Sequence, residues 1–309
     1  MPTTPTRPSL GSTAANVVRG ALIGSVEVVP GVSGGTVALI VGIYERIILS
    51  AGHVVSGLRH LITDLTRGRG STVAMAEFRR ADWAMLIPLA VGMLGAILLV
   101  ASQIEGFVQD QPELSRGLFL GLVAAALAVP ISMIGRRWNG RYVALAIVAA
   151  AAAFLLTGLP PTDVTPSPPI IMVSAAVAVS ALVLPGLSGS FVLLTFGLYE
   201  PALAAINDRD LGYLSWFVAG LTLGLALFVK ALQWLLEHRH DGTLAVLTGL
   251  MAGSMRALWP WQDDDRALLA PGDHVGGVVL LFLIGGSAVL ITVTIARRST
   301  PKAGAHARR

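Results

Sequence analysis

The chain has 309 residues, of which 54% are hydrophobic and 13% charged, and its net charge is +4. A soluble domain carries about 25% charged residues, so this composition and a mean hydropathy of +0.73 exclude an ordinary soluble protein and indicate a polytopic membrane protein. The absence of cysteine excludes disulfides, thiolate metal sites and thiol catalysis. The small positive charge is typical of basic cytoplasmic loops, so we expect the lipid bilayer, and no nucleic acid, as a partner.

The first apolar segment of the chain is interrupted near its middle. Residues 1–16 are rich in Thr, Pro and Ser and are expected to form a disordered tail. In the segment 17–51, the sequence Pro30-Gly31-Val32-Ser33-Gly34-Gly35-Thr36 breaks the apolar run. Proline removes a backbone donor and glycine loosens the backbone, and each half is too short to cross a bilayer. The segment is therefore predicted to be a re-entrant hairpin of two short helices.

The same pattern returns 155 positions later. Pro185-Gly186-Leu187-Ser188-Gly189-Ser190 interrupts the apolar segment 170–206, and Gly197-Leu198-Tyr199-Glu200 matches the earlier Gly42-Ile43-Tyr44-Glu45. Six further stretches are long enough to span a membrane, namely Ala84–Ile104, Gly117–Ile134, Tyr142–Leu159, Leu214–Leu236, Thr243–Leu258 and Val275–Ile295.

Each half of the chain follows one plan. Repeat 1 covers residues 17–160 and contains the hairpin 17–51, a loop at 52–82 and three spans; repeat 2 covers 170–295 and contains the hairpin 170–206 and three spans. Three is odd, so the halves have opposite orientations. The predicted fold class is an all-α polytopic membrane protein built as an inverted repeat, each half one re-entrant helical hairpin plus three transmembrane helices, a plan typical of transporters.

Loop charges orient the chain. The loop 52–82 carries five arginines and is predicted to be cytoplasmic, as are the basic loop 135–141 and the basic tail 296–309. The acidic segment 263–273 falls outside. This assignment obeys the positive-inside rule and puts both termini in the cytoplasm.

The two hairpin tips are predicted to bind an anion. Ser33 and Ser188 can cap the helices that follow them, and the N–H groups of Ser33, Gly34, Gly35 and Thr36 would then be free donors at a positive helix end. The phosphate-binding set at the tips is Ser33, Gly34, Gly35, Thr36, Ser188, Gly189 and Ser190. The alternative is that these small residues only allow close helix packing.

Charged residues at membrane depth are costly and usually functional. Arg256 and Lys230 lie in predicted spans and are candidates for phosphate contact, with a snorkelling arginine as the alternative for Arg256. Glu27 lies before the first tip, where a carboxylate can carry protons or pair with a cation such as Arg256, or be purely structural. Glu45 and Glu200 match between the halves and are candidate proton-coupling or charge-partner residues, expected either to reach water or to hold the hairpins by pairing with Arg46 or a neighbouring span.

No metal or cofactor is expected, because all six histidines fall in predicted loops or tails and none has metal-ligand spacing within a span. A membrane phosphatase would need a nucleophile with a His or Asp partner at depth, or a metal cluster, so this class is disfavoured. A channel or exchanger for a small anion suits opposed helix ends equally well and stays open as an alternative. A structural or assembly factor would not explain matched polar tips.

Three ordered motifs resemble signatures of the bacterial polyprenyl-phosphate transporter (PopT) family, formerly a domain of unknown function. The first runs from Ser25 to Thr36 and continues with Gly42-Ile43-Tyr44-Glu45-Arg46, the second runs from Leu184 to Ser190 with Gly197-Leu198-Tyr199-Glu200, and the third runs from Leu247 to Trp261. Phe191 stands where the first repeat has Thr36, which is a local departure. The resemblance covers about residues 17–295.

The resemblance implies a transporter, not an enzyme, that translocates undecaprenyl phosphate between leaflets of the bacterial cytoplasmic membrane and so recycles the lipid carrier of cell-envelope synthesis. Combined with the opposed tips, it predicts that the phosphate is held between them while the polyprenyl tail stays in lipid. Protons are a candidate coupling partner through Glu27.

Overall fold

The computed structural model describes residues 10–27, 33–66, 71–160, 164–263 and 265–299, and these are almost entirely helical. Within these ranges the chain forms no β-strand beyond one isolated bridge between Gln262 and Leu268. The α-helices in chain order are α1 Leu10–Glu27, α2 Gly34–Ile40, α3 Tyr44–Thr66, α4 Thr72–Arg80, α5 Trp83–Asp110, α6 Pro112–Ala126, α7 Ala128–Ile134, α8 Gly140–Thr157, α9 Pro168–Val183, α10 Gly189–Thr195, α11 Tyr199–Asn207, α12 Leu211–His238, α13 His240–Ser254 and α14 Val275–Ser299. Two 3₁₀ turns, Gly135–Arg137 and Met255–Leu258, follow α7 and α13.

All six predicted spans fall on helices, which confirms an all-α polytopic membrane protein. Four stretches are long and apolar enough to cross a membrane alone: Pro112–Arg137, Gly140–Thr157, Leu211–His238 and Val275–Thr294. The other two predicted spans lie on α5, which is bent by 67° against α4, and on α13 with its 3₁₀ extension.

The hairpins differ from the prediction in having three helices each, not two. The first contains α1, α2 and α3, with the predicted break at Pro30-Gly31-Val32 outside the described residues; the second contains α9, α10 and α11. The additional breaks fall at Gly42 (φ +74°) and Gly197 (φ +65°), and they bend the flanking helices by 119° and 109°. Positive φ is costly for residues with a side chain, so a glycine at each matched position lets both helices end there.

Two segments expected to lack regular structure contain helix. Residues 10–16, assigned to the disordered tail, form the first turns of α1, while residues 1–9 are outside the described ranges. The predicted loop 52–82 is helical over 52–66 and 72–80. Glu77 of α4 joins these pieces through His53 of α3 at 2.9 Å, and the hydrogen bond from His53 lowers the pKa of Glu77. Within α4, Glu77 also pairs with Arg80 at 2.9 Å.

Helix pairing follows the same pattern in both halves. α1 packs on α5 and α9 packs on α12, so the first helix of each hairpin lies against the first span after it. A side chain at Gly92 of α5 would collide with the backbone of Val17, and one at Gly220 of α12 with the backbone of Met172. Between the halves, α6 packs on α14 and α8 on α13. These matched contacts support the inverted repeat, which stays a prediction.

The buried core surrounds the first hairpin tip. Leu39, Ile43 and Tyr44 are at most 4% exposed and belong to the larger apolar cluster, whereas Leu98 and Ile147 on the outside of long helices are 83% and 62% exposed. Such exposed apolar faces suit a hydrocarbon environment.

Candidate functional site

The two hairpin tips touch one another through polar groups. The Ser33 hydroxyl donates to the Leu184 carbonyl at 2.8 Å, and the Gly186 N–H donates to Thr36 Oγ1 at 2.8 Å. Beside them, the Tyr44 hydroxyl donates to the Val183 carbonyl at 3.2 Å. In all three bonds the first hairpin supplies a side chain and the second supplies backbone.

The polar side chains at this contact are buried among the described residues. Ser33 and Thr36 are 1% and 2% exposed and Ser188 is 5% exposed. A Cβ added at Gly35 would lie 3.0 Å from the Val183 carbonyl oxygen. The Ser33 and Thr36 hydroxyls of the predicted phosphate-binding set are thus bonded to the second tip.

The expected free donors of the first tip are partly engaged. Gly34 donates its N–H to the Glu27 carboxylate and Thr36 donates its N–H to the Ser33 carbonyl at 3.0 Å. Ser33 occupies the N-cap position of α2, but its hydroxyl makes no capping bond. In the second tip Ser188 does cap α10, accepting from Phe191 N–H at 3.5 Å, and its hydroxyl bonds that of Ser190 at 2.9 Å.

Glu27 is the last residue of α1, and its side chain lies against Gly34, the first residue of α2. A Cβ at Gly34 would collide with the Glu27 carboxylate, so this acid lies directly over the first residue of α2. It takes the place in which the sequence predicted a bound anion. The suggested pairing of Glu27 with Arg256 is not formed, since the arginine lies against other groups.

Arg256 lies in the 3₁₀ turn after α13. Its guanidinium carbon is 4.6 Å from the centroid of the Phe154 ring, and its Nη2 donates to the Arg266 carbonyl at 3.5 Å. Its Nε is buried and has no hydrogen-bond partner among the described residues. A side chain at Gly158 would collide with this guanidinium, so the glycine provides the space that Arg256 fills.

A second arginine, Arg266, joins this region, and the sequence interpretation missed it. Arg266 Nη1 donates to Thr195 Oγ1 at 2.7 Å and to the Leu159 carbonyl at 2.9 Å, and its guanidinium carbon is 4.2 Å from the Phe191 ring centroid. Burial lowers the pKa of Arg266. No described carboxylate pairs with Arg256 or Arg266, so the two form a partly desolvated cationic pair, called the arginine pair below. A lone arginine within the acidic segment 263–273 was the available signal.

Lys230 lies elsewhere, between α12 and α3. Its ammonium donates to Gln233 Oε1 at 2.6 Å and to the Gly52 carbonyl at 3.4 Å. The structure does not bring it to the arginine pair or to the tip groups, and its phosphate contact stays a prediction. In this structure Lys230 joins α3 to α12.

The matched glutamates have different surroundings. Glu45 accepts from or pairs with His240 at 2.8 Å, while Arg46 pairs with Asp82, so Glu45 binds a neighbouring helix rather than Arg46. Glu200 is exposed in the first turn of α11.

The two hairpins approach α13 from opposite ends. Glu45, at the start of α3, meets the first residue of α13, whereas Thr195, at the end of α10, meets Arg266 in the loop after α13. The 15 residues of α13 extend over about 22 Å. The start of α3 and the end of α10 are thus separated along this helix, and the tips meet between these two points.

A cavity of about 700 Å³ runs along α13 on the side of its first residue. Its walls come from α8, α12 and α13, and Leu184 of the second tip lines it together with Leu247 and Leu250. Leu184 also accepts the Ser33 hydroxyl at its carbonyl, so the contact between the tips lies beside this cavity. The cavity reaches the first residues of α13, whereas the arginine pair follows its last residue.

The described residues contain no cluster of three or more His, Cys, Asp or Glu side chains able to hold a metal ion. The fold and site define a multi-pass membrane protein with two broken helical hairpins whose tips contact one another. The chain matches the model of the VCA0040-like family, described as undecaprenyl phosphate translocase-like, over residues 23–275, and it belongs to this family.

Two relatives of this chain have the same name. A Vibrio cholerae protein called polyprenyl-phosphate transporter is 34% identical over 246 residues, covering 80% of this chain and 77% of the relative. A Staphylococcus aureus protein of the same name is 29% identical over 268 residues, covering 79% of this chain and 86% of the relative. No solved structure matches the chain significantly. These names indicate a transporter rather than an enzyme.

Proposed function

We propose that this chain translocates polyprenyl phosphate, in bacteria undecaprenyl phosphate, between the leaflets of the cytoplasmic membrane. The family and the names of both relatives support polyprenyl phosphate as the substrate. The chain would thereby return the lipid carrier of cell-envelope synthesis, with both of its termini in the cytoplasm.

The observation that carries the mechanism is the polar contact between the tips beside the cavity along α13. Four hydrogen-bonding groups hold this contact: the Ser33 and Thr36 hydroxyls, the Leu184 carbonyl and the Gly186 N–H. Separating the tips frees these groups and joins the cavity to the side of the arginine pair. Rocking of two related halves is the motion expected of this plan.

The phosphate would pass between groups that replace its hydration. On one side the arginine pair offers two guanidiniums without a described carboxylate partner, the geometry that suits phosphate oxygens. Between the open tips, the predicted ligands Ser33, Gly34, Gly35, Thr36, Ser188, Gly189 and Ser190 would complete the path. Lys230 would act only if opening detached it from Gln233.

Protons are proposed as the coupling partner through Glu27. Its carboxylate accepts the Gly34 N–H at the first tip, and protonation would weaken this bond. An approaching phosphate would compete for the same donor. Proton uptake by Glu27 and opening of the tip are thereby linked.

The test is transport in vesicles. The purified protein is reconstituted with polyprenyl phosphate, and the fraction of lipid reachable from outside is measured with an added phosphatase. We expect the wild type to make inner-leaflet lipid reachable, and Arg256→Gln and Gly158→Ala to slow this at least tenfold, because both remove the guanidinium from its place. Arg136→Gln, an exposed arginine elsewhere, is the matched control.

Two results would contradict the proposal. A wild type that leaves inner-leaflet lipid protected would exclude translocation. A wild type that moves inorganic phosphate but no lipid would instead identify an anion channel. For coupling, a pH gradient should change the rate for the wild type and not for Glu27→Gln; an unchanged pH response in Glu27→Gln would exclude the proton role of that residue.

A further inference from the structure

The mouth of the cavity is basic and is built from two distant parts of the sequence. Arg137 and Arg141 come from the start of α8 and the turn before it, and Arg239 comes from the connection between α12 and α13. Arg137 pairs with Asp241 at 3.1 Å. Among the described residues, the side chains of Arg141 and Arg239 have no carboxylate or hydrogen-bond partner.

Charge at this mouth favours an anion. Three guanidiniums face one lining carboxylate, Asp241, and the nearby Glu45 is occupied by His240. Guanidinium groups bind phosphate with paired N–H donors, and two of the three are free to do so. The loop 135–141, which carries Arg137 and Arg141, was predicted from its charge to lie on the cytoplasmic side.

The body of the cavity is apolar. Leu145 of α8, Phe228 of α12 and Val246 and Leu250 of α13 line it between the mouth and Leu184. Its volume of about 700 Å³ is within the 300–1,000 Å³ range of small-molecule sites, so it can hold a head group and the first units of a chain. Leu235 of α12 lines the cavity and is still 38% exposed, which leaves a way out for the rest of a long chain.

We infer that this cavity binds an isoprenoid lipid monophosphate from the cytoplasmic leaflet, with the phosphate on Arg141 and Arg239 and the first isoprene units along α13. The inference rests on the proposed function and adds a second, cytoplasmic binding site to it. A free phosphate would leave the apolar walls without a partner. A single chain with a phosphate at its end matches both the basic mouth and the apolar body. Its chain would point toward Leu184, and thus toward the contact between the tips.

Position-specific photocrosslinking tests the site. A diazirine amino acid replaces Val246 in the full-length protein, and the vesicles contain radiolabelled polyprenyl phosphate. Leu235 provides a second position in the cavity, and Leu290, which is 53% exposed on α14, provides a position outside it. We expect label at 246 and 235 to exceed label at 290, and unlabelled polyprenyl phosphate, but neither polyprenol nor phosphatidylglycerol, to compete it away.

The arginines are tested with a matched pair of variants. Arg141→Gln with Arg239→Gln should lower labelling at position 246 about tenfold, because two charge-assisted contacts are lost. Arg79→Gln with Arg136→Gln removes the same charge from exposed positions outside the cavity and should leave labelling unchanged.

Equal labelling at positions 246 and 290, or full competition by phosphatidylglycerol, would overturn the inference. So would labelling at 246 that survives loss of both arginines. Each of these outcomes can occur in vesicles that transport normally, in which case translocation stands and only the cytoplasmic site is wrong. Labelling as expected in vesicles without transport would contradict the proposed function instead.

Discussion

The two hairpin tips share a sequence pattern and use it differently. In the first tip, the side chains of Ser33 and Thr36 reach across to the other hairpin. In the second tip, Ser188 caps its own helix, and Phe191, which replaces the threonine, lies against Arg266. The first tip therefore forms the contact between the hairpins, while the second provides the backbone that receives it and an aromatic support for the arginine pair.

This difference shows that two copies of one sequence motif can have different roles in the structure. The glycines that end α2 and α10 keep the same positive φ in both copies, so the backbone plan is shared. Only the side chains at a few positions differ, such as Glu27 against Leu182 and Thr36 against Phe191. Substitutions in the first tip should therefore act on closure, and those in the second on the arginine pair.

Thr36→Val should have the largest effect on stability. It removes the acceptor of the buried Gly186 N–H, and an unpaired buried donor costs about 1–3 kcal/mol. Unfolding of the purified protein in detergent, followed by tryptophan fluorescence, measures the loss. Thr222→Val is the control, because that exposed threonine bonds only within its own helix. Equal stability of Thr36→Val and the wild type would mean that the tips do not depend on this bond.

Phe191→Leu should act on the second tip alone. It removes the ring beneath Arg266, and a cation–π contact contributes about 0.5–2 kcal/mol. We expect the lipid concentration for half-maximal transport to rise a few-fold while the unfolding curve moves little. Phe217→Leu makes the same truncation at a ring that stacks on Tyr213 instead. A rise of the same size in Phe217→Leu would show that the effect is not due to the arginine.

Ser188→Ala and Ser33→Ala compare the matched serines directly. Loss of the Ser188 cap should destabilise α10 by about 0.5–1 kcal/mol, the low end for a capping bond, because the distance is 3.5 Å. Loss of the Ser33 hydroxyl should instead open the inner end of the cavity. Thiol labelling of a Leu184→Cys variant reports this, and we expect faster labelling with Ser33→Ala and no change with Ser188→Ala. The reverse order would contradict the division of roles.

The smallest expected effect on stability comes from the contact between α3 and α4. The His53 hydrogen bond lowers the pKa of Glu77, so ionised Glu77 stabilises the fold at neutral pH, and this contribution is lost as pH falls through its folded-state pKa. The pair is near the surface and should contribute less than about 1 kcal/mol. Glu77→Gln should lower the melting temperature at pH 7 and should match the wild type once the pH is below the lowered folded-state pKa of Glu77. Glu200→Gln, an exposed glutamate of the second hairpin, should have no such pH-dependent effect.

The sequence was sufficient for the helices and the two broken segments, because hydropathy and the Pro-Gly breaks are local signals. It did not predict the breaks at Gly42 and Gly197, since a single glycine in an apolar run is also compatible with a continuous helix. It also did not predict the helices within 52–82, because the arginines of this segment are typical of a polar loop.

The sequence was less informative about tertiary contacts than about helices. The sequence identified Ser33 and Thr36 as polar tip residues but could not show that they bind the second tip, 150 positions away. It likewise placed Glu27 near the tip without showing that its carboxylate covers the start of α2. Arg266 was missed because its role depends on Phe191 and Thr195, which no local pattern connects to it.

The central claim is that the tips must separate for lipid to pass, and a cross-link between them tests it most directly. The chain has no cysteine, so Ser33→Cys with Leu184→Cys gives one defined pair across a contact in which the serine hydroxyl lies 2.8 Å from the Leu184 carbonyl. We predict that oxidation or a short thiol cross-linker stops the translocation of polyprenyl phosphate that the reduced double variant shows in vesicles, and that reduction restores it. Transport at the wild-type rate by the fully cross-linked protein would contradict the account.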